Sequence, residues 1–269
     1  MVLALLLSAC GSAATTPSSI PRPPASATRS PTVPSPVTTP PAPPPSTPEP
    51  APEPPAPVVV LDPGHNGGNA ANPAVIDAPV PDGAGGTKAC NTTGTSTDAG
   101  YPEHAFTWDV ALRTRDLLAA AGVQVVLSRS DDTGVGPCVD ARGALPGQVG
   151  AMAFVGIHGD GAAAGSSGFH VISSSLDPAG PTVAAGTAGL ALALRNALTA
   201  VEPPADYVGH DGLDDRSDLA ALNLATTPAV YVECGNMRNP TDAAWMSSAT
   251  GRQAIAAQLT AGILTFLGG

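Results

Sequence analysis

The 269 residues carry a formal net charge of -11, with 11 Lys and Arg set against 22 Asp and Glu, and the basic side chains form no cluster. That balance excludes nucleic acid as a partner, because affinity for it comes mainly from neutralising phosphates. Hydrophobic residues make up 43% of the chain, enough for one good core, but residues 15–57 are nearly all Pro, Ser, Thr and Ala and have almost nothing large to bury.

The first element along the chain is the apolar run Val2-Leu3-Ala4-Leu5-Leu6-Leu7, which leads into Ser8-Ala9-Cys10-Gly11. It is too short to span a bilayer and lacks the basic residues that precede a signal peptide's hydrophobic region, so the natural start is expected to lie upstream. Leu7-Ser8-Ala9-Cys10 resembles the lipobox of bacterial lipoproteins, which implies lipidation of Cys10 and a membrane anchor. Residues 1–14 are thus read as a lipoprotein signal, 15–57 as an extended, polyproline-like tether and 58–269 as one domain of ordinary size.

That domain opens on Val-Val-Val-Leu at 58–61, a strand buried on both faces, which stops at Asp62-Pro63-Gly64 and delivers His65. Ligands of open α/β sheets gather at such carboxyl ends, so His65 is a ligand or acid/base candidate. The insert 66–100 is too polar and too rich in glycine to be core, and inserts of this length are usually functional. Pro102-Glu103-His104 opens the best helix, with Phe106, Val110, Leu117 and Leu118 at helical spacing up to Gly122. Strand 123–127 follows, then a short helix over 140–149 interrupted by Pro146. Strand 153–157 ends on His158; 169–172 is a further strand and 182–200 an Ala/Leu-rich helix. Strand 229–232 leads to Glu233, and a helix over 251–267 closes the chain. The alternation predicts an α/β domain with a central, mostly parallel or mixed, twisted sheet of about six strands flanked by helices.

Cys90 and Cys138 sit in loop-like Gly/Pro/Thr-rich surroundings and are paired here as a disulfide, contributing ~4 kcal/mol in the chain-entropy model. Cys234 is left as a buried thiol: a small apolar filler, with a metal ligand or nucleophile as the other reading.

His65, His158 and Glu103 make a His2Glu set, a combination that holds catalytic zinc with a fourth position open. The helix dipole gives Glu103 a purely structural reason to be where it is, and the three lie too far apart in sequence to form a local motif. More specific is the ordered series Val59-Val60-Leu61-Asp62-Pro63-Gly64-His65, Glu103, Ile157-His158-Gly159-Asp160 and Val232-Glu233-Cys234-Gly235-Asn236 with Asn239. This series resembles the zinc-dependent N-acetylmuramoyl-L-alanine amidases of the third amidase family over the whole domain. Gly86 to Cys90, Gly136 to Cys138 and Asp215-Arg216-Ser217-Asp218-Leu219 make it most similar to the compact mycobacterial peptidoglycan amidases. The resemblance implies one zinc ion on His65, Glu103 and His158, Glu233 as the catalytic carboxylate, and again the Cys90–Cys138 disulfide. The implied reaction is hydrolysis of the bond between N-acetylmuramic acid and the L-alanine of a stem peptide, by an exported, envelope-located, monomeric enzyme whose partner is peptidoglycan. Gly159-Asp160 conforms only loosely to the family pattern, and Cys234 replaces an aliphatic or small residue.

His104, one position after Glu103, points elsewhere around the helix and reads as a surface or supporting residue. His170, inside a strand, reads as a satisfied structural histidine, and His210 as solvated. Arg216 offers a fork for a stem-peptide carboxylate, against a surface salt bridge with Asp214, Asp215 or Asp218. Two competing functions are another zinc-dependent envelope peptidase or deacetylase, and a non-catalytic muropeptide-binding lipoprotein.

Overall fold

The computed structural model describes residues 55–268 and the isolated positions 33, 36 and 38. Cys10, the segment 1–14 and nearly all of the tether 15–57 lie outside the described residues. In chain order the elements are β1 (Val58–Pro63), a 3-10 turn (Asn69–Ala71), α1 (Pro73–Ile76), β2 (Pro79–Pro81), β3 (Thr87–Ala89), α2 (Glu103–Ala120), β4 (Gln124–Leu127), α3 (Val139–Gln148), β5 (Ala153–Asp160) and β6 (His170–Ser174). Then come α4 (Pro181–Leu198), β7 (Leu213–Arg216), α5 (Ala220–Leu224), β8 (Ala229–Asn236), α6 (Pro240–Ser247) and α7 (Ala249–Gly268).

Six strands form one sheet in the order β4-β1-β5-β8-β6-β7. The first four run parallel, β6 pairs antiparallel with β8, and β7 pairs parallel with β6. This is the mixed, mostly parallel α/β sheet that the alternation of elements predicts. β1, β5 and β8 lie side by side in parallel, so their carboxyl ends share one edge, and Glu233 is in register with His158.

Strand alternation sorts side chains between two cores. Val59, Leu61, Val155, Ile157, Val230, Val232 and Cys234 face the layer of α2, α4 and α7, joined there by Phe106, Leu194 and Leu259. Val60, Phe154 and Tyr231 face the opposite layer, with Leu222 of α5 and Leu145 of α3. Each fully buried side chain of this size contributes roughly 1.5–3 kcal/mol of transfer free energy. Glu233 lies between Val232 and Cys234 and therefore turns to the α3/α5 side.

Two expectations need correction, and β7, α5 and α6 were not anticipated. The insert 66–100 is not free of core: Ile76 and Cys90 are buried, as are the polar Asn69, Asn91 and Thr97. Backbone bonds from Cys90 to Ala78 and from Asn91 to Ile76 hold it, together with the antiparallel β2–β3 hairpin. Pro146 does not interrupt α3 but sits within its last turn. β7 reads Leu-Asp-Asp-Arg, with no apolar alternation, and is held by its ladder to β6 and by the Ser173 hydroxyl donating to Asp215. α5 and α6 are too short to show a helical period; α6 is announced instead by Asn239, whose side chain accepts from the Thr241 and Asp242 amides.

Candidate metal and catalytic site

β1 ends in a turn that throws His65 into the left-handed region, φ 58°, a conformation costly for a residue with a Cβ. Two buried arginines hold that turn. Arg142, on α3, donates to Asp62 at 2.7 Å, to the Pro63 carbonyl at 2.9 Å and to the His65 carbonyl at 3.0 Å. Arg129, just past β4, donates to the Pro63 and His104 carbonyls, each at 2.9 Å. Gly64 is required by close approach, because a Cβ there would stand 2.3 Å from the His158 ring.

The imidazole of His65 is oriented from behind. Its Nδ1 lies 3.0 Å from the Thr92 carbonyl, which fixes Nδ1 as the donor and leaves the Nε2 lone pair facing Glu103. Glu103 is fully fastened: Oε2 accepts the Thr95 amide at 2.9 Å and Oε1 the Gly159 amide at 3.1 Å. His65 Nε2 and His158 Nδ1 converge on that same Oε1, at 3.1 and 2.9 Å. The three ligand atoms lie within 4.8 Å of one another. A nitrogen lone pair aimed at a carboxylate oxygen places two acceptors face to face, an arrangement that calls for a cation between them. Two nitrogens and one oxygen are a donor set that suits zinc.

Burial opposes ionisation of Glu103; when the imidazoles carry protons, the charge of His65 and the hydrogen bonds from His158 and His65 outweigh it and hold the carboxyl well below the usual range, and when their lone pairs face it a bound cation would have to supply that charge. Glu233 is placed in the opposite circumstance. Burial, with Glu103 and Asp160 nearby, pushes its pKa well up, and its buried Oε2 has no hydrogen-bond partner among the described residues. Tyr207 donates to Asp160 at 2.6 Å. The rings of His158 and Tyr231 lie 4.7 Å apart. All these groups except Tyr207 line a cavity of about 310 Å³.

The structure thus brings His65, Glu103, His158 and Glu233 together. Arg216 lines the same cavity while its guanidinium holds Asp218. His104 supports from outside, its Nδ1 2.9 Å from an Asp132 oxygen. His170 is buried but not satisfied, since its Nδ1 has no partner among the described residues. His210 is exposed. Cys90 and Cys138 form a disulfide and Cys234 is a free, buried cysteine, on the face away from the cluster. Sequence reasoning passed over Arg142, Thr92, Thr95 and Gly94. Gly94 has φ +78°, and a Cβ there would meet both Glu103 Oε2 and the His65 ring at 2.8 Å. Glycines followed by threonines in a polar insert are common, so no local signal separates these from linker.

The chain as a whole is similar to known proteins in sequence and in fold. The family described as N-acetylmuramoyl-L-alanine amidase (Amidase_3) matches residues 59–265. An N-acetylmuramoyl-L-alanine amidase of Mycobacterium tuberculosis is 49% identical over 211 residues, covering 78% of this chain and 86% of the relative. The crystal structure of the amidase Ami1 from Mycobacterium smegmatis superposes with a TM-score of 0.76 at 49% identity, covering 80% of this chain and 98% of that one. Apo Ami1 from Mycobacterium abscessus does so with a TM-score of 0.75 at 46% identity, over 79% and 99%.

Proposed function

Because the chain belongs to the N-acetylmuramoyl-L-alanine amidase family, we propose that it hydrolyses the amide between N-acetylmuramic acid and the L-alanine of peptidoglycan stem peptides, with zinc on His65, Glu103 and His158 and Glu233 as general base. The observation that carries this reading is the convergence of two imidazole nitrogens on one anchored carboxylate oxygen, in a cavity that also holds an unpartnered buried carboxylate oxygen. Zinc, when bound, supplies Lewis acidity, making water acidic enough to react near pH ~7 and polarising the scissile carbonyl.

The residues do the rest. The Thr92 carbonyl keeps the His65 tautomer that offers Nε2, and the Thr95 amide holds Glu103 so that it presents Oε1. Glu233 takes the proton of the attacking water and returns it to the departing nitrogen, which leaves poorly unless protonated. Burial raises its pKa, and a buried carboxyl perturbed in this direction beside a cavity is the kind of group that serves in proton transfer. The lipobox-like Leu7-Ser8-Ala9-Cys10 and the Pro-rich stretch after it support an exported protein, tethered to a membrane through Cys10 and acting in the cell envelope as a single catalytic domain over residues 58–269.

The test is mass spectrometry of muropeptides incubated with the full chain, with and without zinc, beside the Glu233→Gln variant. Stem peptide beginning at L-alanine should appear only with zinc and intact Glu233. Cuts within the stem would move the reading to a peptidase, and intact muropeptides throughout, with zinc bound, to a binding protein.

A further inference from the structure

Four carboxyl groups, Asp62, Glu103, Asp160 and Glu233, stand on the walls of the cavity that holds the cluster, in a chain of net charge -11. An anionic ligand entering it meets repulsion unless cations are provided. Besides the buried Arg142, two are. Lys88, on β3, is the single lysine of the 269 residues, and it lines this cavity together with Arg216, at the end of β7. The two come from separate parts of the chain and meet at Asp218. Lys88 Nζ donates to the Asp218 carbonyl, and Arg216 donates through Nε and Nη2 to the two Asp218 carboxylate oxygens at 2.9 and 2.7 Å.

Building on the amidase reading, we propose that Lys88 and Arg216 form a carboxylate-binding subsite selecting stem peptides with a free carboxylate beyond the scissile bond, and that Asp218 is an internal occupant displaced by that carboxylate. The guanidinium already holds a carboxylate in two-pronged fashion, the geometry in which arginine reads such groups. The pair it makes is open to water: the Arg216 side chain is 41% exposed and that of Asp218 61%. An ion pair so screened contributes little, so exchanging Asp218 for a ligand carboxylate costs little. A primary amide in place of the carboxylate has no charge to offer the fork and presents its own donors to it. The expected discrimination is about tenfold, the worth of a charge-assisted hydrogen bond.

The test measures binding apart from turnover. Muramoyl tripeptides whose second residue carries either a free carboxylate or its primary amide are titrated calorimetrically into the zinc-loaded full chain carrying Glu233→Gln. The free acid should bind about tenfold tighter. Adding Lys88→Gln or Arg216→Gln should bring the ratio of dissociation constants toward one, and Asp218→Asn should raise it by freeing the guanidinium. Equal affinity for the two peptides, or a ratio that none of the three substitutions moves, overturns the proposal. Should Arg216→Gln fail to fold, Lys88→Gln and Asp218→Asn, of opposite expected sign, decide it alone. The unsubstituted chain digests both peptides in parallel. Release of stem peptide with no preference in binding sinks the subsite and spares the amidase, whereas a preserved preference without release sinks the amidase and spares the subsite.

Discussion

Arg142→Leu is expected to be among the most damaging single substitutions in this protein, for reasons that can be worked from its surroundings. Its side chain is 2% exposed and Asp62, its ion-pair partner, 1%, so water screens neither. Removing the guanidinium leaves Asp62 as a buried charge supported by the Ser128 hydroxyl on Oδ1, with Oδ2 unpartnered among the described residues. It also orphans the His65 and Pro137 carbonyls and leaves the Pro63 carbonyl to Arg129 alone. Breaking a buried pair in this way costs about 3–5 kcal/mol, a large share of the roughly 5–15 kcal/mol that stabilises a domain. Burial raises the Asp62 pKa, but Arg142 and Ser128 outweigh it, and the folded value lies below 3.8. The pair's stability is therefore fully present above pH 3.8 and is lost as pH falls through the folded value. Urea unfolding at neutral pH of Arg142→Leu, Asp62→Asn and the double variant measures this. The double variant should recover about 2 kcal/mol or more relative to the sum of the singles. A loss below about 1 kcal/mol for Arg142→Leu, or simple additivity, would refute the account.

Gly94→Ala should weaken zinc binding about tenfold or more, because its Cβ would push on Glu103 and His65 at once; competition with a chromophoric chelator reads this, and unchanged affinity would show that the contact is compliant. Replacing Cys90 and Cys138 by serine should lower stability by ~4 kcal/mol for a separation of 48 residues, seen as an earlier urea midpoint with a steeper slope, because the unfolded chain is no longer held compact by the crosslink. Burial, reinforced by the neighbouring Asp242, raises Glu202 to about 8 from 4.5. The folded state holds this proton after the unfolded chain has released it, so stability falls as pH rises from 4.5 toward about 8. Thermal melts across that range should show the decline, and Glu202→Gln should flatten it; a variant that keeps the slope assigns it to another group.

What the sequence disclosed follows from the range of each signal. Val59, Val60 and Leu61, buried on both faces of the sheet, announce β1 locally, and the run into Asp62-Pro63-Gly64 makes the exit of His65 readable. The α/β order is similarly carried by apolar periods within single elements. Glu103 was legible as a helix head and, with the two histidines, as a ligand set by resemblance. The groups that orient these three side chains were not. Arg142 reaches His65 across 77 residues of sequence and Thr92 across 27, and both use backbone carbonyls, which no side-chain pattern encodes. β7 escaped because a strand held by its neighbour needs no alternation of its own. Pro146 was read as an interruption because its nitrogen cannot donate to the carbonyl four residues before it, yet α3 absorbs that lost bond in its last turn and runs on to Gln148.

Glu233 and Cys234 are adjacent in sequence, yet the pleat of β8 sends one into the cavity and the other into the packed layer behind the sheet. The thiol is fully buried and its pKa is raised well above 9 by burial and by Glu233. A thiol-reactive reagent therefore meets it only when β8 parts from the helices behind, whatever fills the cavity in front. Its labelling rate is a clock for opening of the sheet, placed by the chain one residue from its proposed catalytic carboxylate and insulated from it by the thickness of a strand.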